Sequence, residues 1–423
     1  MYPTLVVRFT DLRTCGLADL RTCGLADLRT CGLADLRTCG ERPPNPVEHP
    51  SLHLSPHLTF CNYLPICPPS TLRAATVSVL ALPTAMFRIR QSYREDVDQV
   101  LAVAEHLDTV NLPADRASIE RIVDLSVRSF AGEVPVVDRE FLFVLEDLKT
   151  KHIIGTSMVY AQHGTKRAPH IFFRVEKDER YSYTLDKYFV HQTLRIGYDY
   201  NGPTEIGGLI LLPEYRRNSE ALGKALSYVR FLFIRMNRAM FRDHILSELL
   251  PPLETDGQSR LWEVLGRHFT GLSYQEADRL SKDNKEFIHA LFPDDPIHTE
   301  LLPDDVRKII GQVGEETKGV EKMLRRIGFE YAGQIDPFDG GPHFSCKTDE
   351  VSIVQDAKQV VTRLVDDADG ERPWAILGVQ SKAGFFATGA RVVPADDGTI
   401  GLTANTHERL GIQAGATIWM AFG

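Results

Sequence analysis

Residues 205–227, EIGGLILLPEYRRNSEALGKALS, carry the arrangement in this sequence best suited to holding an anion. Positions 205–212 form a short apolar run with paired glycines, the pattern of a buried strand. Pro213, Glu214 and Tyr215 break it. A basic turn of small residues, 216–223, then runs directly into an amphipathic helix predicted over 224–236. A strand, a tight turn and a helix N-terminus leave free backbone N–H groups and the positive end of a helix dipole facing outward. That is a site for phosphate.

The surrounding elements narrow the anion. A strand is predicted at 87–91, then a helix from an N-cap at Ser92 through His106, and a second helix over 118–130. Apolar runs at 141–145 and 153–161, joined by a short polar link, predict a hairpin. The aromatic-rich 168–201 reads as strands and loops. After the basic turn and its helix, 244–250 reads as another strand, closed by Pro251 and Pro252. The order is strand, helix, helix, hairpin, strand, phosphate-type turn, helix, strand. The order resembles that of the acyl-CoA N-acyltransferases, in which adjacent parallel strands splay apart to admit pantetheine, and this resemblance implies the pyrophosphate of coenzyme A as the anion. Helices are predicted at 261–269, 274–292, 304–313 and 320–327, the last stopped by Gly328. A strand at 329–335 and a tight turn in FDGGPHFSC (338–346) follow. The predicted class is α+β: a GNAT-like mixed sheet with flanking helices over 86–350, a helical insertion at about 255–318, and a small β-rich subdomain over 351–423.

Composition sets the outer bounds. The chain has 423 residues, 43% hydrophobic and 25% charged, with a formal net charge of −9. This balance argues against a general nucleic-acid role. No apolar run reaches the ~18 residues of a membrane span. Six of the seven cysteines precede residue 86, and only Cys346 lies beyond it. A body with one cysteine has no internal disulfide and no thiolate metal cluster, which suits a reducing cytoplasm.

Residues 11–40 repeat the octapeptide Asp-Leu-Arg-Thr-Cys-Gly-Leu-Ala from Asp11, Asp19, Asp27 and Asp35. A period of eight fits neither a helix face nor a stacking repeat, and the cysteine spacing matches no zinc pattern. Ten of the 24 prolines and no lysine fall in 1–85. The expectation is a non-native or disordered extension over 1–85, with Met86 as the first residue of the protein proper.

Several segments together resemble the arginine N-succinyltransferase family: FVLED (143–147), the 205–227 stretch, LWEVLGRHF (261–269), DPIHTELLPDDVRKIIGQV (295–313), Gly328 with Phe329, and IDPFDGGP (335–342). The resemblance runs from about Met86 to the C-terminus and is densest over 205–345. It implies transfer of a succinyl group from succinyl-CoA to the α-amino group of L-arginine in cytoplasmic arginine catabolism. Implied partners are L-arginine and coenzyme A, without nucleic acid or membrane, in a homo- or hetero-oligomer. Two alternatives stay open. One is the same fold with another acyl donor or amine, such as acetyl-CoA with a polyamine or ornithine. The other is a coenzyme A-binding module without catalysis.

The resemblance also implies site residues. Glu205 would accept the amine proton, and the backbone N–H of Leu209 would donate to the thioester oxygen. Arg216, Arg217, Leu222 and Gly223 would cradle the pyrophosphate. Glu248, which matches a family Glu, and Asp336 and Asp339, which flank the Asp-Gly-Gly-Pro turn, are each candidates to bind the cationic acceptor, although an Asp-Gly-Gly turn equally reads as Asp capping its own backbone. The family's proton-donating His directly after Ile-Gly-Gln-Val is replaced here by Gly314. His298 and His343 lie in motif-rich loops and are the candidate substitutes. Trp262, at helical spacing with Leu265, reads as core. No His/Asp/Glu cluster has metal-ligand spacing, so no metal is expected.

Overall fold

The computed structural model describes residues 86–106, 111–166, 168–254, 257–366 and 371–423. The repeats and the proline-rich segment of 1–85 lie outside the described residues. Strand β1 (Phe87–Gln91) leads through a 3-10 turn into α1 (Val97–Ala104) and α2 (Arg116–Phe130). The predicted hairpin is β2 (Glu140–Asp147) and β3 (Ile153–Tyr160). A second hairpin follows, β4 (His170–Ser182) and β5 (Lys187–Asp199). Then come β6 (Thr204–Leu211), α3 (Leu222–Met236) and β7 (His244–Glu248). Short elements succeed them: α4 (Arg267–Thr270), α5 (Tyr274–Asp283), α6 (Glu286–Leu291), β8 (Ile297–His298), α7 (Asp304–Ile309) and α8 (Lys318–Arg326). Next are β9 (Glu330–Ile335), β10 (Pro342–Lys347) and α9 (Ser352–Asp356). The C-terminal part holds β11 (Lys358–Leu364), β12 (Trp374–Ser381), β13 (Gly384–Arg391), β14 (Val393–Pro394), β15 (Ile400–Leu402), α10 (Ala404–Leu410) and β16 (Thr417–Phe422).

Among the described residues these strands join in the order β14-β15-β11-β16-β12-β13-β1-β2-β3-β6-β7-β10-β9-β4-β5-β8. The fold is thus the expected α+β mixed sheet with flanking helices, and the C-terminal strands are hydrogen-bonded to it through β13 on β1. The pair that positions the site is β6 and β7. They run parallel and pair only at Thr204–Ile245 and Glu205–Leu246. Past that point no ladder joins them, which leaves a cleft between the C-terminal half of β6 and the end of β7.

Both faces of the central strands are buried, which explains why Phe-Leu-Phe-Val-Leu in β2 is a continuous apolar run. Phe141, Phe143 and Leu145 face α3, whose residues Val229, Leu232 and Phe233 are buried with them. Leu142 and Val144 face Val100, Ile119 and Val123 of α1 and α2. Trp262 is fully buried as predicted, stacked on Phe338 at 4.9 Å. No described helix is long and apolar enough to cross a membrane.

Local differences from the predicted elements have identifiable causes. Ser92 does not cap a helix, because its hydroxyl bonds the Ser126 hydroxyl at 3.0 Å. Tyr93 is the N-cap of the 3-10 turn instead, and Asp96 closes a capping box on it, its carboxylate accepting the Tyr93 N–H at 2.7 Å while pairing with Arg90. The second helix begins two residues early, because Asp115 accepts the Ser118 N–H at 2.9 Å. Segment 168–201 is mostly a long hairpin. Its inner half is buried, whereas its outer half exposes Tyr183 and Tyr188, so no single alternation runs through it.

Glu140, half-buried at the start of β2, provides a stability test. Burial raises its carboxyl to about 7, against the attraction of Arg121 and with the repulsion of Glu205. The folded state therefore keeps a proton that the unfolded chain releases near 4.5, so stability falls as pH rises from about 4.5 to 7. Glu140→Gln should flatten that decline, by at most about 3 kcal/mol, read from urea unfolding at pH 5 and pH 7.5.

Candidate active site

Glu205 is 2% exposed, at the last residue of β6 that pairs with β7. Its oxygens are both engaged: Asn111 Nδ2 donates to Oε1 at 3.1 Å, and His163 Nδ1 lies 2.6 Å from Oε2. Glycine at 207 lets Asn111 approach, since a Cβ there would stand 2.0 Å from its Nδ2. Burial pushes the His163 imidazole down, but the Glu205 carboxylate outweighs it and holds His163 above its ordinary value. His163 comes from the loop after β3, where its N–H is tied to the Pro203 carbonyl at 2.7 Å.

Behind this pair lies a cluster made by tertiary contact. The β7–β10 register sets His343 directly across from Glu248. His343 Nε2 and His170 Nε2 stand 3.5 and 3.3 Å from Glu248 Oε1, and the two rings stack at 5.2 Å. Burial drives the His343 imidazole down to about 4, so it is neutral at physiological pH. Asp336 completes the wall, its carboxyl raised to about 7 by burial and then by Glu248. Burial and then Asp336 also raise Asp339. Both aspartates also cap their turn: Asp336 Oδ1 accepts the Phe338 N–H at 2.7 Å, and Asp339 Oδ1 accepts the Gly341 N–H at 2.7 Å. The turn reading therefore holds, and the same residues line the cavity.

Linear spacing offers no metal-ligand cluster, but among the described residues the fold gathers two groups of His and carboxylate side chains. His163, His170 and Glu248, and likewise Glu248, Asp336 and His343, bring donor atoms within 4.8 Å of one another. They come from different strands and loops, so linear spacing could not reveal them.

On the other side of the cleft, β6 bulges. Gly207 pairs with Met158 and Ile210 with Thr156, so Gly208 and Leu209 together oppose Ser157. Gly208 has φ +55°, the left-handed value a glycine bulge needs. Its carbonyl accepts the Thr156 hydroxyl at 3.0 Å. This bulge, Glu205, Glu248, Asp336, Asp339 and Arg230 line one cavity of about 180 Å³. The cavity has the partners an acyl transfer needs: a carboxylate–imidazole pair, an irregular strand that can present backbone N–H, and an acidic wall for a cation.

The predicted phosphate turn sits at the C-terminal end of β6. Ala221 is the N-cap of α3 at φ +56° and supplies no side-chain acceptor, so the first-turn N–H groups around Leu222 and Gly223 remain for an anion. Arg217 is also left-handed, at φ +59°. Arg216 turns its Nε back onto the Leu211 carbonyl at 3.0 Å, which closes the turn. Glu220 is neutralised by Arg409 of α10 at 2.9 Å.

The structure thus brings Glu205, Leu209, Glu248, Asp336 and Asp339 around one cavity, with His343 against its wall. His298 lies apart from them, on the edge strand β8 with its ring near His191. Gly314 N–H bonds the Leu250 carbonyl at 2.9 Å. A Cβ at 314 would stand 2.7 Å from the Pro251 carbonyl oxygen. Gly314→His should therefore cost about 1–3 kcal/mol of stability and leave turnover no higher, measured by thermal unfolding beside an activity assay. The sequence reading missed Asn111, His163, His170 and Arg230. The histidines stand in loops or strand starts without a motif. Arg230 did leave a signal, a charge inside the apolar run Tyr-Val-Arg-Phe-Leu-Phe.

A family model described as arginine N-succinyltransferase beta subunit matches residues 87–353. The chain is 33% identical over 287 residues to the arginine N-succinyltransferase of Yersinia enterocolitica, covering 67% of this chain and 82% of that protein. It is 30% identical over 333 residues to the Escherichia coli arginine N-succinyltransferase, covering 78% and 96% respectively. The structure of arginine/ornithine succinyltransferase subunit AI from Pseudomonas aeruginosa matches with a TM-score of 0.70 at 25% identity, over 80% of this chain and 99% of that one.

Proposed function

The chain belongs to the arginine N-succinyltransferase family, and on that premise we propose that it transfers a succinyl group from succinyl-CoA to the α-amino group of L-arginine. Coenzyme A lies with its pyrophosphate at the N-terminus of α3 and its pantetheine in the cleft between β6 and β7. The thioester oxygen receives the backbone N–H at Leu209. Arginine enters from the acidic side, its positive charge facing Glu248, Asp336 and Asp339.

The α-ammonium gives a proton to Glu205, and His163 holds that carboxylate in place. The freed amine attacks the thioester carbon, a C–N bond forms, the C–S bond breaks, and the second proton of the adduct's nitrogen passes to the departing sulfur or to solvent. The thiolate needs no obligatory proton to leave, since its pKa is only ~8.5. Turnover therefore does not depend on a histidine at position 314.

The observation that carries this reading is the parting of β6 from β7 immediately after Glu205, with the Gly208 bulge on one lip and the carboxylates on the other. Ornithine is a second acceptor to test, because the Pseudomonas relative is described as an arginine/ornithine succinyltransferase. The cytoplasmic setting and the place in arginine breakdown belong to the same reading, supported by the single cysteine among residues 86–423.

The test follows free thiol from the purified chain with arginine or ornithine and either succinyl-CoA or acetyl-CoA. Release with succinyl-CoA and arginine is expected. Release only with acetyl-CoA would move the enzyme to another acyl donor. Tight coenzyme A binding with no release from any pair would make it a binding module.

A further inference from the structure

We infer that Arg230 is the anchor for the terminal carboxylate of the acyl donor, a binding subsite for mono-thioesters of short dicarboxylic acids. This deepens the succinyl-transfer reading and rests on it. Arg230 lies in the middle of α3, between Val229 and Phe231, and is 2% exposed. Its Nε donates to the Ser227 carbonyl at 3.0 Å and its Nη2 to the Ser227 hydroxyl at 2.9 Å. Its Nη1 has only a long 3.5 Å contact with the Gly207 carbonyl. Among the described residues no carboxylate pairs with it. A guanidinium has five N–H donors, so some remain for a ligand at the cavity it lines.

A buried charge without a counter-ion is costly. Burial pushes this guanidinium down to about 9, which still leaves it charged at neutral pH. The other cation lining the cavity, Lys285, acts on Asp336, His163 and His170 across the acidic wall. Arg230 instead stands on the lip with the bulge. Its neighbour Gly207 immediately precedes the Gly208–Leu209 step where the thioester carbonyl is placed. Three C–C bonds of ~1.5 Å put the carboxylate of a succinyl chain about 4 Å from its thioester carbon, and Arg230 Nη1 lies 3.5 Å from the carbonyl of Gly207, the residue before the bulge. Ser227 fixes two of the nitrogens, so the remaining edge is oriented before the ligand arrives. An acyl chain ending in methyl would leave the charge buried and unpaired, and such sites discriminate strongly against ligands that lack the polar group.

The experiment compares succinyl-CoA with butyryl-CoA, which has the same number of acyl carbons and a methyl in place of the carboxylate. It uses the full chain, with Arg230→Met and Arg230→Lys. The wild type should favour succinyl-CoA in kcat/KM by at least tenfold. Arg230→Met should lose roughly 10- to 100-fold with succinyl-CoA and little with butyryl-CoA, and Arg230→Lys should recover part of the loss. Equal losses with both donors would reduce Arg230 to a structural residue. Should Arg230→Met not fold, the wild-type comparison decides alone: equal use of the two donors overturns the assignment. Should no donor release thiol, the transfer reading fails. Calorimetric binding of succinyl-CoA against butyryl-CoA to the wild type then still tests Arg230, and equal affinity would overturn it.

Discussion

Glu205→Gln is expected to lower kcat by roughly 100- to 10,000-fold, the range of a lost general base, with KM for succinyl-CoA nearly unchanged. Glutamine preserves the size of the side chain and can still bond Asn111 and His163, so the β6–β7 junction should keep its shape. The ability to take a proton is what disappears. His163 would lose the carboxylate that holds its imidazole above the ordinary value, and its titration, followed by NMR, should move down. Turnover within threefold of wild type would remove Glu205 from proton transfer and leave it a buried structural acid.

Gly208→Val is the second large effect. The residue has φ +55°, and a Cβ there would stand 2.8 Å from Met158 Cγ. A β-branched side chain in the left-handed region costs of order 1–3 kcal/mol, and the cheapest relief is to flatten the bulge. That would turn the Leu209 N–H and break the Thr156 hydroxyl bond to the Gly208 carbonyl. If this N–H holds the thioester oxygen, kcat/KM should fall about 100- to 1,000-fold. Gly333 supplies the control. It also has a positive φ, +68°, yet a Cβ there meets open space. Gly333→Val should take a similar backbone penalty in a melting experiment and leave turnover intact. Equal activity losses in both variants would mean that instability, not the bulge, is responsible.

The proposed cofactor side of the site is legible in the sequence because it is local. A strand, a turn and a helix N-terminus follow one another within 205–236, and the proposed mode of binding relies mostly on their backbone groups. Glu205 and Leu209 lie in that same stretch. The proposed acceptor side depends on strands far apart in the chain. Glu248 and His343 face each other only through the β7–β10 register, and His163 reaches Glu205 only because its loop is tied to Pro203. No spacing along the chain encodes such contacts. His298 shows the reverse case: it sits in a motif-rich loop, yet the fold carries it to the edge strand β8. The long β4–β5 hairpin was obscured because its two halves meet different surroundings, one buried and one in solvent. Arg230 was readable in principle, since a charge within an apolar helix asks what neutralises it.

The central claim is that the α-amino group of arginine attacks a succinyl thioester held where β6 and β7 part. The most direct measurement incubates the chain with succinyl-CoA and arginine labelled with nitrogen-15 at the α position, then follows the label by NMR while counting free thiol. The account predicts that the α-nitrogen becomes an amide nitrogen bearing the succinyl group, with one thiol released per amide formed. Thiol release that does not require arginine, or an acyl group found on a guanidino nitrogen, would contradict it.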